Sequence, residues 1–514
     1  MFVGDIEVWQ HLHRTVLTDY VVNSLLLMVG VAVCTLLLGV PAAWFTSVCD
    51  FPGKSIFVWA LLLPLAFPAY IIAYTYTGLL DFSGPVQTFI RDITGWGYGD
   101  YWFIPVRSIP GAIVMLSLVL YPYVYLLARA AFLEQSLSTL EVGRTLGYSI
   151  TESFLKLAIP LARPAIVAGL TLALMETLAD FGTVQYFGIS TFTTGIFRAF
   201  YGFGDSSAAA QLSGSLLTFV VVLVLLERYS RREARYHTAG GKSSRQRQIR
   251  FKGRQVLWAW IGCLIPVCFG FVIPALVLLK WAVTEATWDG GSFLLLIWHS
   301  FSLALIAAVI AVVAALLLGY ARRLHRSTLV KTSVSLSGLG YAVPGTIIAI
   351  GVIIPLAWLD HQVMDLSEKW FGLEIGLLFS GTIIALLFAY TVRFLAVSLG
   401  SIQSGLENIR PSFDYAARSL GQPPSGVLKN VHIPMMRSSV LTALLIVFVD
   451  VLKELPATLM LRPFNYNTLA VRAYELASDE RLVDAAPASL MIILVGILPV
   501  ILLSRSISTG YTGK

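Results

Sequence analysis

Glu176 and Asp180 stand four residues apart in an otherwise apolar stretch, and Asp450 and Glu454 repeat the spacing. On a helix that interval puts both carboxylates of a pair on one face. An ionisable side chain at membrane depth costs several kcal/mol, so such residues point first to a pathway or a binding site. Carboxylate oxygen is a hard ligand, and two acidic pairs facing one another would suit a hard cation passing through. The competing role is structural, with the acids at an outer interface or with Lys453 and Glu454 neutralising each other. Tyr70, Tyr74 and Tyr76, after Pro64 and Pro68, offer phenolic oxygens, but aromatic residues at a span's end also form interfacial belts. The seven histidines form no cluster. Cys34, Cys49, Cys263 and Cys268 lack metal or redox spacing and read as small hydrophobes.

The elements that must position these groups are membrane spans. Of 514 residues, 57% are hydrophobic and 13% charged, which excludes an ordinary soluble globule. Apolar runs of about 20 residues recur, each long enough to cross a bilayer as a helix. They are continuous rather than alternating, which disfavours a transmembrane β-barrel. Five spans are expected at 20–48, 55–80, 109–132, 160–186 and 207–226. Six more are expected at 256–283, 300–320, 332–359, 377–399, 435–459 and 485–503. The fold class is therefore an all-α polytopic membrane protein of about eleven spans.

The formal charge of +7 is concentrated between Glu227 and Arg254, where ten Lys or Arg meet two Glu. Between apolar spans this is a cytoplasmic loop by the positive-inside rule, not a nucleic-acid site. The basic loop at Arg322, Arg323, Arg326 and Lys331 is cytoplasmic too, as is the C-terminus. An odd count then puts the N-terminus outside, unless an upstream helix is missing. The organisation expected is an extracytoplasmic segment 1–19, a first half 20–226, a basic linker 227–255 and a second half 256–514.

The halves repeat. Gly147, Ile159, Pro160 and Arg163 recur 274 residues later as Gly421, Ile433, Pro434 and Arg437, and Glu176 and Asp180 meet Asp450 and Glu454. Pro68 meets Pro344 at 276. Both repeated loops are cytoplasmic, so the bundles are parallel, with a pseudo-two-fold axis along the membrane normal and a pathway between them.

The repeated loops carry a resemblance. Glu141-Val-Gly-Arg-Thr-Leu-Gly147 with Pro160, and Asp414-Tyr-Ala-Ala-Arg-Ser-Leu-Gly421 with Pro434, resemble the EAA loop of binding-protein-dependent ABC-transporter permeases. The stretches around Asp180, Ser190, Lys453 and Leu461 are similar to fused ferric-iron permeases. Those have six spans per half, and this chain lacks the first. The resemblance implies coupling segments at 141–155 and 415–429 that dock on an ATPase. Their expected contacts are Glu141, Gly143, Arg144, Gly147 and Pro160, and Tyr415, Ala416, Ala417, Arg418, Gly421 and Pro434. Arg144 and Arg418 would anchor the loops, while Tyr415 stands where glutamate is usual.

No GxxxxGK[ST] loop occurs, since Tyr236 stands where the first glycine before Gly241-Lys242-Ser243 should be. The chain is thus expected to be no enzyme and to need no cofactor. Its implied partners are two copies of a cytoplasmic ABC ATPase and a periplasmic or surface-anchored substrate-binding protein. It would sit in lipid, in a bacterial inner membrane, passing ferric iron by alternating access, with Glu176, Asp180, Asp450 and Glu454 holding metal only transiently. Thiamine or another solute on the same architecture is the alternative, and an ATPase-independent secondary transporter the remoter one.

Overall fold

The computed structural model describes residues 12, 14–97, 99–134, 145, 147–232, 249–287, 290–325 and 327–511. Among these, nine helices are long and apolar enough to cross a bilayer. Counting each of two bent pairs as one span gives up to eleven among the described residues: Lys54–Ala66 with Ala69–Thr94 at 92°, and Pro424–Met435 with Arg437–Leu452 at 80°.

The repeat seen in sequence is a repeat of structure. In the first half Leu17–Val48, Ile109–Glu134 and Ile159–Ala179 pack on one another; in the second, Gly290–Leu324, Ile383–Glu407 and Arg437–Leu452 do so. In lipid no hydrophobic force draws helices together, so close approach depends on small residues. Ala304, Ala307, Ala308, Ala311 and Ala315 form a buried stripe on Gly290–Leu324. A Cβ at Gly169 would meet Tyr123 O and Val124 Cα at 2.8 Å, so glycine there sets the spacing between two spans. Even the π-turns repeat, Phe154–Ala158 matching Leu428–His432 at the same offset.

The halves also exchange helices. Ser206–Arg232 of the first packs on Gly345–Phe371 of the second, while Leu482–Tyr511 of the second packs on Leu63–Ala66 and Ala69–Leu80 of the first. Arg254–Thr284, which has no counterpart among the described residues, lies mainly against the first half and Leu482–Tyr511. The two largest apolar clusters therefore draw on both halves. A two-residue parallel ladder pairs Cys49–Asp50 with Ile249–Arg250 and ties the returning linker to the first half. Sequence reading did not foresee it.

Several span limits move. Pro68 and Pro344 take extended backbone and break the expected 55–80 and 332–359 spans, each break preceded by a short 3-10 turn. Proline lacks the amide and fixes φ, so the following helix starts afresh. Pro355 lies inside Gly345–Phe371, which continues past it. The expected 160–186 and 435–459 spans are not continuous helices either, because each stops short of an acid, at Ala179 and Leu452.

Candidate functional site

Those two interruptions build the site. Asp180 has left the helix of Glu176, with φ −64° and ψ 131°, so the two acids do not share a helix face as their spacing predicted. Asp180 Oδ2 instead accepts from the amides of Thr183 and Val184 at 3.1 Å, and Oδ1 from Thr183 Oγ1 at 3.0 Å, capping Gly182–Tyr186. Glu454 does the same for Pro456–Leu461. It accepts from Ala457 N and Thr458 N at 3.0 Å and from Thr458 Oγ1 at 2.7 Å. A carboxylate at a helix N-terminus satisfies amides that hydrocarbon would leave unpaired.

All four acids line one cavity of about 120 Å³ between the halves. Tyr70, Val119, Leu120 and Tyr123 join them from the first half, and Tyr341, Arg393, Lys453 and Pro456 from the second. Gly182 allows the breaks to touch, since a Cβ there would lie 2.7 Å from Tyr70 Cβ and 2.9 Å from Leu455 Cδ2. Gly345 makes room for charge, since its Cβ would fall on Arg393 Nη1 and 2.7 Å from Glu454 Oε1.

The acids are not equivalent. Arg393 Nη1 lies 3.0 Å from Glu454 Oε1, with the two side chains 10% and 2% exposed. Lys453 Nζ lies 2.8 Å from Asp450 Oδ1, so Lys453 pairs with Asp450 and not with Glu454, the partner in the competing structural reading. Glu176 has no protein hydrogen bond or ion pair among the described residues. Asp180 and Glu454 are thus fixed as caps, whereas Asp450 has one exchangeable partner and Glu176 none. Arg393, Tyr123 and Tyr341 were missed by sequence reasoning. A lone arginine inside an apolar span was the available signal for Arg393. Tyr74 and Tyr76 are buried and bond to Ser489 and to Phe269 O, leaving Tyr70 as the one of the three tyrosines in the wall.

On the side expected to be cytoplasmic, Glu141, Gly143 and Arg144 lie outside the described residues. Gly147 and Gly421 both hold positive φ, 79° and 83°, with open space where a Cβ would stand. That conformation favours glycine and turns the chain within 141–155 and 415–429, the segments expected to dock on an ATPase. Pro160 and Pro434 each follow a π-turn, Phe154–Ala158 and Leu428–His432, with helical backbone on both sides of the junction. Pro411–Ser419 presents Tyr415, Ala416 and Arg418 outward and buries Ala417. Asp414 is turned inward instead. Arg323 Nη2 lies 2.5 Å from its Oδ2, and His432 Nε2 lies 2.9 Å from its Oδ1. Arg323 also donates to Leu406 O and, at 2.9 Å, to Ile409 O. The anchor of this loop is therefore Asp414, not the exposed Arg418, because a carboxylate at the first turn of a helix can reach back to the span end.

On the opposite face Arg107 Nη1 meets Glu480 Oε1, and Nη2 meets Oε2, both at 2.8 Å, joining the halves. The guanidinium also lies over the Tyr186 ring, 4.9 Å from its centroid. The bond to Arg107 holds the Glu480 carboxyl below its usual range.

Residues 311–509 match the model of the family described as binding-protein-dependent transport system inner membrane component. An Fe(3+)-transport system permease protein of Haemophilus influenzae is 27% identical over 501 residues, covering 96% of this chain and 91% of the relative. A ferric transport system permease protein of Actinobacillus pleuropneumoniae is 23% identical, covering 85% and 64%. A molybdenum transport system permease protein of H. influenzae is 26% identical over 211 residues, covering 40% and 89%. The matched region contains residues 415–429, Arg393 and both acids of the second pair, and the chain is a multi-pass membrane protein whose second half matches this family's model and whose whole length is similar to a ferric-iron permease.

Proposed function

We propose that the chain is the permease of an ATP-driven importer that passes ferric iron across a bacterial inner membrane by alternating access, with the cavity between its halves as the transit site. The observation that carries this is the composition of the cavity wall. Four carboxylates and the phenols of Tyr123 and Tyr341 surround it, against two cations. Hard oxygen donors in that excess suit a trivalent cation. Glu176 and Asp450, mates in the repeat, are the two acids free to receive cargo, and the cargo displaces Lys453 from Asp450. Asp180 and Glu454 keep the breaks in place around them. Iron is held only in passage, and no resident cofactor is required.

Two copies of a cytoplasmic ABC ATPase supply the energy, and a periplasmic or surface-anchored substrate-binding protein delivers the cargo. The exposed Phe413, Tyr415 and Leu420 give the second coupling segment an apolar docking face. The likeness to molybdenum permeases, with Arg393 and Lys453 in the wall, supports an oxyanion as the second reading, and the surplus of carboxylates favours the cation. The test is ATP-dependent uptake of radioactive ferric iron into proteoliposomes holding the chain, its ATPase and its binding protein. Uptake that excess molybdate does not reduce supports iron. No iron uptake, with molybdate transported, overturns it.

A further inference from the structure

The Ile383–Glu407 helix touches both ends of the second half's machinery. Near its start, Tyr390 Oη lies 2.5 Å from Thr458 Oγ1 and, one turn on, Arg393 pairs with Glu454. Both side chains grip the same cap, since Thr458 itself donates to Glu454. At the helix's far end, Leu406 O and the following Ile409 O receive Arg323, whose guanidinium also holds Asp414 of the coupling segment. No proline interrupts the helix. Thirteen residues separate Arg393 from Leu406, about 20 Å of unbroken rod.

The first half is built differently at the same register. Tyr390 and Arg393 correspond at 274 to Leu116 and Val119, which line the cavity but cannot bond a carboxylate. Asp180 is capped by its own segment alone.

We propose that Arg393 is a positioning residue that transmits movement of the second coupling segment to the cap of the cavity, so that energy coupling runs asymmetrically through the second half. A pull on Asp414 reaches Arg323, then the carbonyl end of the rod, then Glu454 through Arg393. One buried and one partly buried ion pair, with a stiff helix between them, form the kind of contiguous element through which two sites can bias one another. The inference rests on the cavity being the pathway and does not depend on the cargo.

The test uses the full assembly in proteoliposomes, with the four native cysteines replaced by alanine and Ala179→Cys as a reporter in the cavity wall. The readout is the ATP-driven change in labelling by a membrane-impermeant maleimide, beside ATP hydrolysis. Arg393→Met is expected to shrink that change by about tenfold while hydrolysis continues, and Arg393→Lys to restore part of it. Asp414→Asn, at the other end, is expected to give the same loss and to add nothing to Arg393→Met. If Arg393→Met does not fold, Tyr390→Phe combined with Asp414→Asn gives the same comparison. A full labelling change in Arg393→Met or in that pair, or additive losses, overturns the relay. No ATP-driven change in the parent, with iron uptake intact, overturns the cavity reading itself and the relay with it.

Discussion

Asp180 and Glu454, 274 residues apart, make the same set of bonds: each carboxylate accepts from two successive amides and one threonine hydroxyl of the short helix that follows it. The repeat thus holds for both amide bonds, Thr183 and Val184 answering Ala457 and Thr458, while the hydroxyl comes from the first of those positions in one half and from the second in the other. It fails one contact further out, where Glu454 has Arg393 and Asp180 has no cation partner among the described residues. The equivalence sets the scaffold, and the difference sets what each half can do.

Loss of the caps should cost stability unequally. Asp180→Ala removes a cap and is expected to cost about 1–2 kcal/mol. Glu454→Ala also leaves Arg393 buried without a counter-ion and is expected to cost about 3–5 kcal/mol. Thermal unfolding of the purified protein in detergent should rank the variants in that order; equal losses would contradict the assignment.

Glu176→Gln and Asp450→Asn should behave otherwise. Neither residue caps a helix, so both variants should keep the parent's unfolding temperature within a few degrees and lose iron uptake by at least about tenfold. Lys453→Gln leaves Asp450 without its internal cation, and cargo retained in the cavity should then lower the maximal rate of uptake. Initial rates across a range of cargo-loaded binding protein separate these cases. Wild-type uptake in both acid variants would remove them from the pathway.

Gly147→Val and Gly421→Val meet no neighbour, so the cost is the backbone's alone, about 1–2 kcal/mol for a side chain at positive φ. The turn within each proposed coupling segment should open. ATP hydrolysed per iron delivered is expected to rise while the amount of inserted protein stays unchanged. Normal coupling in both variants would speak against those turns in the contact with the ATPase.

The Arg107 and Glu480 pair should give an acid limb. The Glu480 carboxyl is depressed in the folded protein, so the link is fully present above the ordinary carboxylate value of about 4.3 and is lost as pH falls through the lower folded value. Hydrogen exchange in residues 101–108 and 479–481, corrected for intrinsic rate, should hold constant from neutral pH to that range and rise below it. Glu480→Gln should remove the dependence; an unchanged profile in that variant would assign it elsewhere.

Much of the scaffold was legible because apolar length and charge act locally. Eleven spans, two parallel halves and the glycine turns at Gly147 and Gly421 follow from hydropathy, loop charge and one repeat offset, none of which needs a partner in space. The breaks after Ala179 and Leu452 were half legible. Gly182 and Pro456 stand just beyond them in the sequence, but the i, i+4 spacing of Glu176 and Asp180 suggested an unbroken face.

Which charge meets which was not legible. Lys453 could pair with either neighbouring acid by spacing, and only the turn after Leu452 sends it to Asp450. Arg393 is 61 residues from Glu454, and Arg323 is 91 from Asp414. The chain alone determined that acids and cations would lie within the membrane region, because composition and register are written residue by residue. Their division into fixed caps, an exchangeable pair and an open carboxylate was decided by packing between helices distant in sequence, since burial and hydrogen bonding belong to the assembled interior.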